Sequence, residues 1–467
     1  MTPAGTIGAR GALPRRWRPR PAPGPPPGAV VPLSIRIDGE HGVVLAERLR
    51  GELALPCAGR YVVISPARLT HHALVMGATG SGKTETLLRL AWVLAKRFDA
   101  QVLYLDGKGD RECAARFTAL MADAGRETRV FPNQRFDGWR GEPQDIHGRL
   151  AEIVDYATDG PAAWYRDIAR HVLSGVCSHP DGPPRSSGQA LDRMDLKALR
   201  AVHGAAWAKG LREDLVAQTR LRYQAFFTQT RGTLDGTWSW DETQAAYCLL
   251  DTLALKDEAG GLARFLLEDF AQYFAIRKPR ERLCVTIVDE FSSLTSAGSM
   301  ASRLEQARGF NTALILAPQT AAGLGEPAEA ERILGSVETI VCHRVNTPDP
   351  VIALAGTRRV VEYSTQIDET VGQTGAGSAR LQHAFKVDPN QVRALRPGEA
   401  FIINRGRAMK ARIHRAPQIT RALPPIETPA PAVAANQQPR PSPTKAPGAA
   451  DSKAGEWPAN PRKELPF

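Results

Sequence analysis

The octapeptide Gly77-Ala78-Thr79-Gly80-Ser81-Gly82-Lys83-Thr84 fits the pattern GxxxxGK[ST], and its flanks supply the context that pattern needs. The preceding "ALVM" reads as a short buried strand, and Leu87, Leu90, Ala91, Val93 and Leu94 form an apolar stripe near helical period behind it. Strand, glycine-rich loop and helix together aim backbone N–H groups at a helix N-terminus, where the dipole also favours an anion. Lys83 would reach the β- and γ-phosphates of ATP there, and the Thr84 hydroxyl would ligate Mg²⁺. The stretch "QVLYLDGKGD" adds an apolar strand ending in polar residues and glycines, the opening of a parallel α/β sheet.

A phosphate loop is common to kinases, switches and motors, so the chemistry must be read elsewhere. "VTIVDEF" ends an apolar strand in Asp289 and Glu290, where a parallel sheet delivers its ligand-binding groups. Asp289 suits a hold on Mg²⁺ through the ion's bound waters, whereas Glu290 suits polarisation of an attacking water, a role that a hydrolase needs and a kinase does not. "TALILAPQT" ends the next strand in Gln319, a neutral donor and acceptor able to contact a γ-phosphate or a water. Arg308, between these two strands, is a candidate arginine finger acting from a neighbouring subunit. His71, His72 and His343 read as structural or solvated.

The 467 residues, 43% hydrophobic, contain ample core material for two to three domains. Residues 1–28 (Pro- and Arg-rich) and 417–467 (Pro/Ala/polar) cannot bury enough apolar surface to offset ordering and are expected to be disordered arms. "LSIRID", "GVVLAE" and "RYVVIS" alternate as short half-buried strands and predict a small β-rich N-terminal segment. The ATPase core is expected over 29–110 and 281–416, interrupted by an all-helical insertion over 111–280. The insertion rests on two stripes, Leu150, Ile153, Val154 and Ala157 in one and Trp164, Ile168 and Val172 in the other. The six cysteines are scattered, with no CxxC pair and no His at metal-ligand spacing, and are expected to be reduced core thiols. A net charge of +11 favours a polyanionic partner such as DNA or an acidic membrane surface. With no signal-peptide run and no apolar stretch of about 18 residues, a cytoplasmic location is expected.

"THHALVMGATGSGKT", "LYLDGKGD", "IVDEF", "ALILAPQ" and "HAFKVDPNQVRALRPGEAFIINRGR" occur in that order. Together they resemble the FtsK/HerA superfamily of ring-forming DNA pumps and, within it, the VirD4/TraG/TraD coupling proteins of conjugation and type IV secretion. The resemblance spans about residues 55 to 415. It implies an α/β, RecA-like P-loop core with a helical insertion, and ATP binding by Gly77 to Thr84. It further implies Mg²⁺ and water activation by Asp289 and Glu290, γ-phosphate sensing by Gln319 and a trans-acting Arg308. Asp106 and Lys108 match a family motif near the nucleotide. DNA, a hexameric ring, and relaxosome or secretion-pore proteins are the implied partners. Coupling proteins of this group usually begin with two membrane-spanning helices and this sequence has none, which leaves two expectations: membrane contact through a partner, or a likeness to the soluble relatives. Left open are a secretion ATPase acting on protein, a DNA pump of partition or repair, and a non-hydrolysing adaptor.

Overall fold

The computed structural model describes residues 31–157, 160–294, 296–307, 309–368 and 372–427. The expected arm at 1–28, most of the tail at 417–467 and Arg308 lie outside the described residues.

Seven parallel strands form one side of a 13-stranded sheet, running to its edge in the order Thr339–Cys342, Ala73–Met76, Thr312–Ala317, Cys284–Asp289, Gln101–Asp106, Ala245–Leu249 and Thr128–Phe131. Most are buried end to end, as the strands of a sheet covered on both faces must be. Their residues alternate between two cores, so that Cys284 and Val288 enter one while Val285 and Ile287 enter the other. Helix Lys83–Phe98 packs its apolar stripe, including Leu87, Leu90 and Leu94, into the second core.

The sheet continues past Thr339–Cys342 as an antiparallel wing, through Glu399–Asn404, Arg407–Ile413, Glu40–Gly51 and Tyr61–Ile64. The β-rich N-terminal segment is therefore an extension of the core sheet. Arg89, buried on the helix that follows the phosphate loop, secures it by donating to Val44 O at 3.0 and 3.2 Å. Thr357–Asp368 and Gly372–Phe385 pair as a separate hairpin that the sequence did not suggest.

The segment expected to be all-helical, 111–280, is corrected in two ways. Its strands Thr128–Phe131 and Ala245–Leu249 belong to the core sheet, and helix Arg111–Asp123 covers that sheet through Phe117, packed on Tyr104 and Tyr247. Short apolar runs such as "AAYCL" cannot be distinguished from helix by periodicity. What remains is a helical layer of Pro143–Ala151, Ala163–Cys177, Ser187–Arg193, Leu196–Trp207 and Glu213–Thr230, backed by Asp257–Gln272. The first expected stripe is cut short, since the helix ends at Ala151; the second starts late, since Trp164 is 49% exposed while Val172 is fully buried. The tail boundary also moves. Arg421 N donates to Ala115 O at 3.2 Å and Glu427 N to Asn133 O at 2.7 Å, so residues 417–427 run along the core. No helix among the described residues is long and apolar enough to cross a membrane.

Candidate nucleotide site

Four neighbouring parallel strands, Ala73–Met76, Thr312–Ala317, Cys284–Asp289 and Gln101–Asp106, end at one edge of the sheet, and each hands a functional loop to that edge. The loop after the first is the glycine-rich stretch. Gly80 and Gly82 adopt φ of +73° and +107°, which L side chains rarely accept. A Cβ on Gly77 would meet Ser81 Oγ at 2.4 Å, and one on Gly82 would meet Gly398 N at 2.9 Å. Helix Lys83–Phe98 starts from Gly82 with no side-chain cap, so its first-turn amides open onto a cleft of about 410 Å³ lined by Ala78, Thr79, Gly80, Gly82, Lys83 and Thr84. Ser81 Oγ is buried and has no hydrogen-bond partner among the described residues. An uncapped helix N-terminus, a glycine cradle and an orphaned hydroxyl fit a polyphosphate.

His343 supports the loop from beneath. Its Nδ1–H donates to Glu399 O at 3.0 Å, which leaves Nε2 to accept from the Thr86 hydroxyl at 2.8 Å. Burial lowers its pKa to about 4, with the Lys83 charge adding to the effect, so the neutral ring is the one that fits. This bears out the structural reading of His343. His72 is likewise buried, with its two ring nitrogens facing Leu304 O and Leu314 N.

Asp289 and Glu290 stand at the end of the third strand, and Lys83 Nζ lies 2.9 Å from Asp289 Oδ1, 3.1 Å from Glu290 Oε1 and 3.1 Å from Ala317 O. Gln319 Nε2 donates to Glu290 Oε1 at 2.8 Å and Lys108 Nζ pairs with the same oxygen at 2.8 Å. Glu290 has φ of +58°, a strained setting for a side chain of this size, with its N–H held by Ala317 O at 3.1 Å. Burial acts to raise its pKa, but the Lys108 bond, the Lys83 charge and the Gln319 bond outweigh it and hold the carboxyl below its ordinary value. Tyr104, fully buried and stacked on Tyr247 with ring centroids 4.8 Å apart, donates its hydroxyl to Asp289 Oδ2 at 3.0 Å.

The structure thus brings together the glycine-rich loop, Lys83, Thr84, Asp106, Lys108, Asp289, Glu290 and Gln319, while Arg308 lies outside the described residues. It adds Tyr104, which in sequence was one apolar strand residue among several. Gly398 and Arg415, also on the cleft, flank strands of the antiparallel wing, about 300 residues away in the chain; Gly398 falls within the late block "HAFKVDPNQVRALRPGEAFIINRGR" without a role of its own there, and Arg415 lies beyond it.

The chain matches no protein-family model. Over 111 residues it is 43% identical to the type 4 coupling protein DotL of Legionella pneumophila, a stretch that is 24% of this chain and 14% of that protein. Among solved structures, the bacterial conjugative coupling protein TrwB superposes with a TM-score of 0.59 at 15% identity, covering 83% of this chain and 97% of TrwB. VirB4 of Thermoanaerobacter pseudethanolicus superposes with a TM-score of 0.54 at 14% identity, covering 82% of this chain and 98% of that one. The resemblance to coupling proteins carried by the motifs thus holds in sequence over one segment and in fold over most of the chain.

Proposed function

We propose that the chain is an ATP-hydrolysing, ring-forming DNA translocase, the coupling protein of a conjugative, type IV secretion-like transfer system. The observation that carries this is the meeting of Lys83, Asp289, Glu290 and Gln319 at one sheet edge beside an uncapped, glycine-cradled helix N-terminus. A scaffold that merely held nucleotide would need neither the carboxylate pair nor the glutamine.

In this reading the amides of Gly80 to Thr84 hold the phosphates, and Lys83 leaves the carboxylates to pair with the β- and γ-oxygens. Glu290 then accepts a proton from the attacking water, and Gln319, already bonded to Glu290, reports the γ-phosphate to its own strand. Mg²⁺, held by Thr84 and Asp289, would offset the negative charge of the phosphates. Arg308 would complete the site from a neighbouring subunit of a hexamer. TrwB has been solved with ADP and Mg²⁺, which supports this assignment of nucleotide and metal. The transferred DNA strand and relaxosome or secretion-pore proteins are the proposed partners, at a cytoplasmic position against the inner face of the membrane.

Phosphate release by the purified chain, with and without single- and double-stranded DNA, tests the reading. The expected result is a slow basal rate raised several-fold by DNA. Release indifferent to DNA would favour a protein substrate, and no release at all would sink the motor.

A further inference from the structure

Glu290 carries two carboxylate oxygens, and the structure uses them unequally. Lys83, Lys108 and Gln319 all reach Oε1, and among the described residues no hydrogen bond or ion pair reaches Oε2. A carboxylate pinned at one oxygen presents the other to a water in a fixed direction.

Of the three, Lys83 is also required at the phosphates and Gln319 is neutral. Lys108 is the charged donor that can stay, and the loop carrying it is held at every residue. Gly107 N donates to Asp289 O at 3.2 Å, and Gly107 O accepts from the Thr252 hydroxyl at 2.8 Å. The Asp106 carboxylate accepts from Lys108 N at 2.9 Å and Asp110 N at 2.7 Å, and is itself fixed by the Tyr247 hydroxyl at 2.9 Å. Gly109, with φ of +66°, leaves no room for a side chain, since its Cβ would meet Asp251 Cβ at 2.8 Å. Asp110 caps the next helix by accepting from Glu112 N and Cys113 N. Only the Lys108 side chain projects, 39% exposed, to Glu290.

We infer that Lys108 is a positioning residue for hydrolysis, holding Glu290 through Oε1 so that Oε2 faces the attacking water, and that Asp106 and Tyr247 set the loop that delivers it. The inference rests on the hydrolytic reading above. Because Lys108 also lines the nucleotide cleft, the rival role is a direct phosphate contact, and kinetics separate the two.

The experiment compares Lys108→Met and Lys108→Arg with wild type for kcat and KM for ATP, and for Kd of a fluorescent ATP analogue. A misplaced base costs up to ~100-fold in rate, so Lys108→Met should lower kcat roughly 10- to 100-fold with KM and Kd within about threefold. Lys108→Arg, which keeps the charge and reach, should recover kcat to within about threefold of wild type. A tenfold rise in KM and Kd with kcat unchanged would overturn the inference in favour of a phosphate contact, and an unchanged kcat and KM would overturn it outright. Should Lys108→Met not fold, Tyr247→Phe serves in its place. That variant removes the hydroxyl on Asp106, which also touches the Cys113 thiol, and should cost about 3- to 10-fold in kcat, an indifferent result again overturning the inference. A wild-type protein without ATPase activity would bring down both readings, whereas an active one with an indifferent Lys108→Met brings down this one alone.

Discussion

The Lys83 ammonium donates to Glu290 Oε1 and Ala317 O and sits as an ion pair 2.9 Å from Asp289 Oδ1. A polyphosphate must win the ammonium from two carboxylates, which it can do because its own charge is larger and the helix N-terminus adds to its hold. Lys83→Ala should therefore cost ~10²- to 10³-fold in kcat/KM, and retained turnover in that variant would remove Lys83 from the site. Glu290→Gln should differ in kind, keeping nucleotide binding within a few-fold while turnover falls ~10²-fold or more. Equilibrium binding and single-turnover hydrolysis read the two effects separately. Tyr104 makes a subtler contribution. Its hydroxyl fixes Asp289 Oδ2 from within the core, so Tyr104→Phe should raise the Mg²⁺ concentration for half-maximal ATPase activity about 10-fold, the low end of the ~10- to 100-fold known for partners of metal ligands. A Mg²⁺ titration identical to wild type would show that the hydroxyl merely satisfies itself.

At the scale of elements, the strand at Ala73–Met76 and the helix at Lys83–Phe98 were legible because loop motif, apolar run and helical stripe agree there. The strand at Ala245–Leu249 was not, because its pairing partners, Gln101–Asp106 and Thr128–Phe131, lie more than a hundred residues upstream, and sheet membership is a non-local property. The same holds for the site. Asp289, Glu290 and Gln319 end apolar strands and could be read singly, but Tyr104 is set apart only by the register Asp106↔Asp289 that lays its strand beside theirs. The helical layer has its own cement. Arg149 and Asp269, 0% and 2% exposed, pair between helices Pro143–Ala151 and Asp257–Gln272, with Arg277 3.4 Å from the same carboxylate. Removing Arg149 leaves Asp269 with only the longer Arg277 contact, so Arg149→Met should destabilise by up to ~3 kcal/mol, whereas Arg149→Met with Asp269→Leu should cost less than the two single changes summed. Urea midpoints test this. Strict additivity would mean that the pair is not coupled.

For the whole molecule, the decisive question is whether the site is complete in one copy. A net charge of +11 on 467 residues suits a polyanion, and DNA threading a ring would hold several copies together. If Arg308 acts across the interface, monomers should be nearly inactive and specific activity should rise with protein concentration, because such fingers contribute on the order of 10³ to 10⁵ in rate. DNA should raise turnover further, and added salt should weaken that effect steeply as released counterions compete. Mixing decides the geometry. Lys83→Ala and Arg308→Ala should each be inactive alone, yet a mixed ring sets an intact Arg308 against an intact Lys83 site at some interfaces, about one in four for random assembly of equal amounts. Partial activity regained on mixing is the expected outcome. Rings shown to be mixed that stay silent would place Arg308 within its own subunit or outside the chemistry altogether.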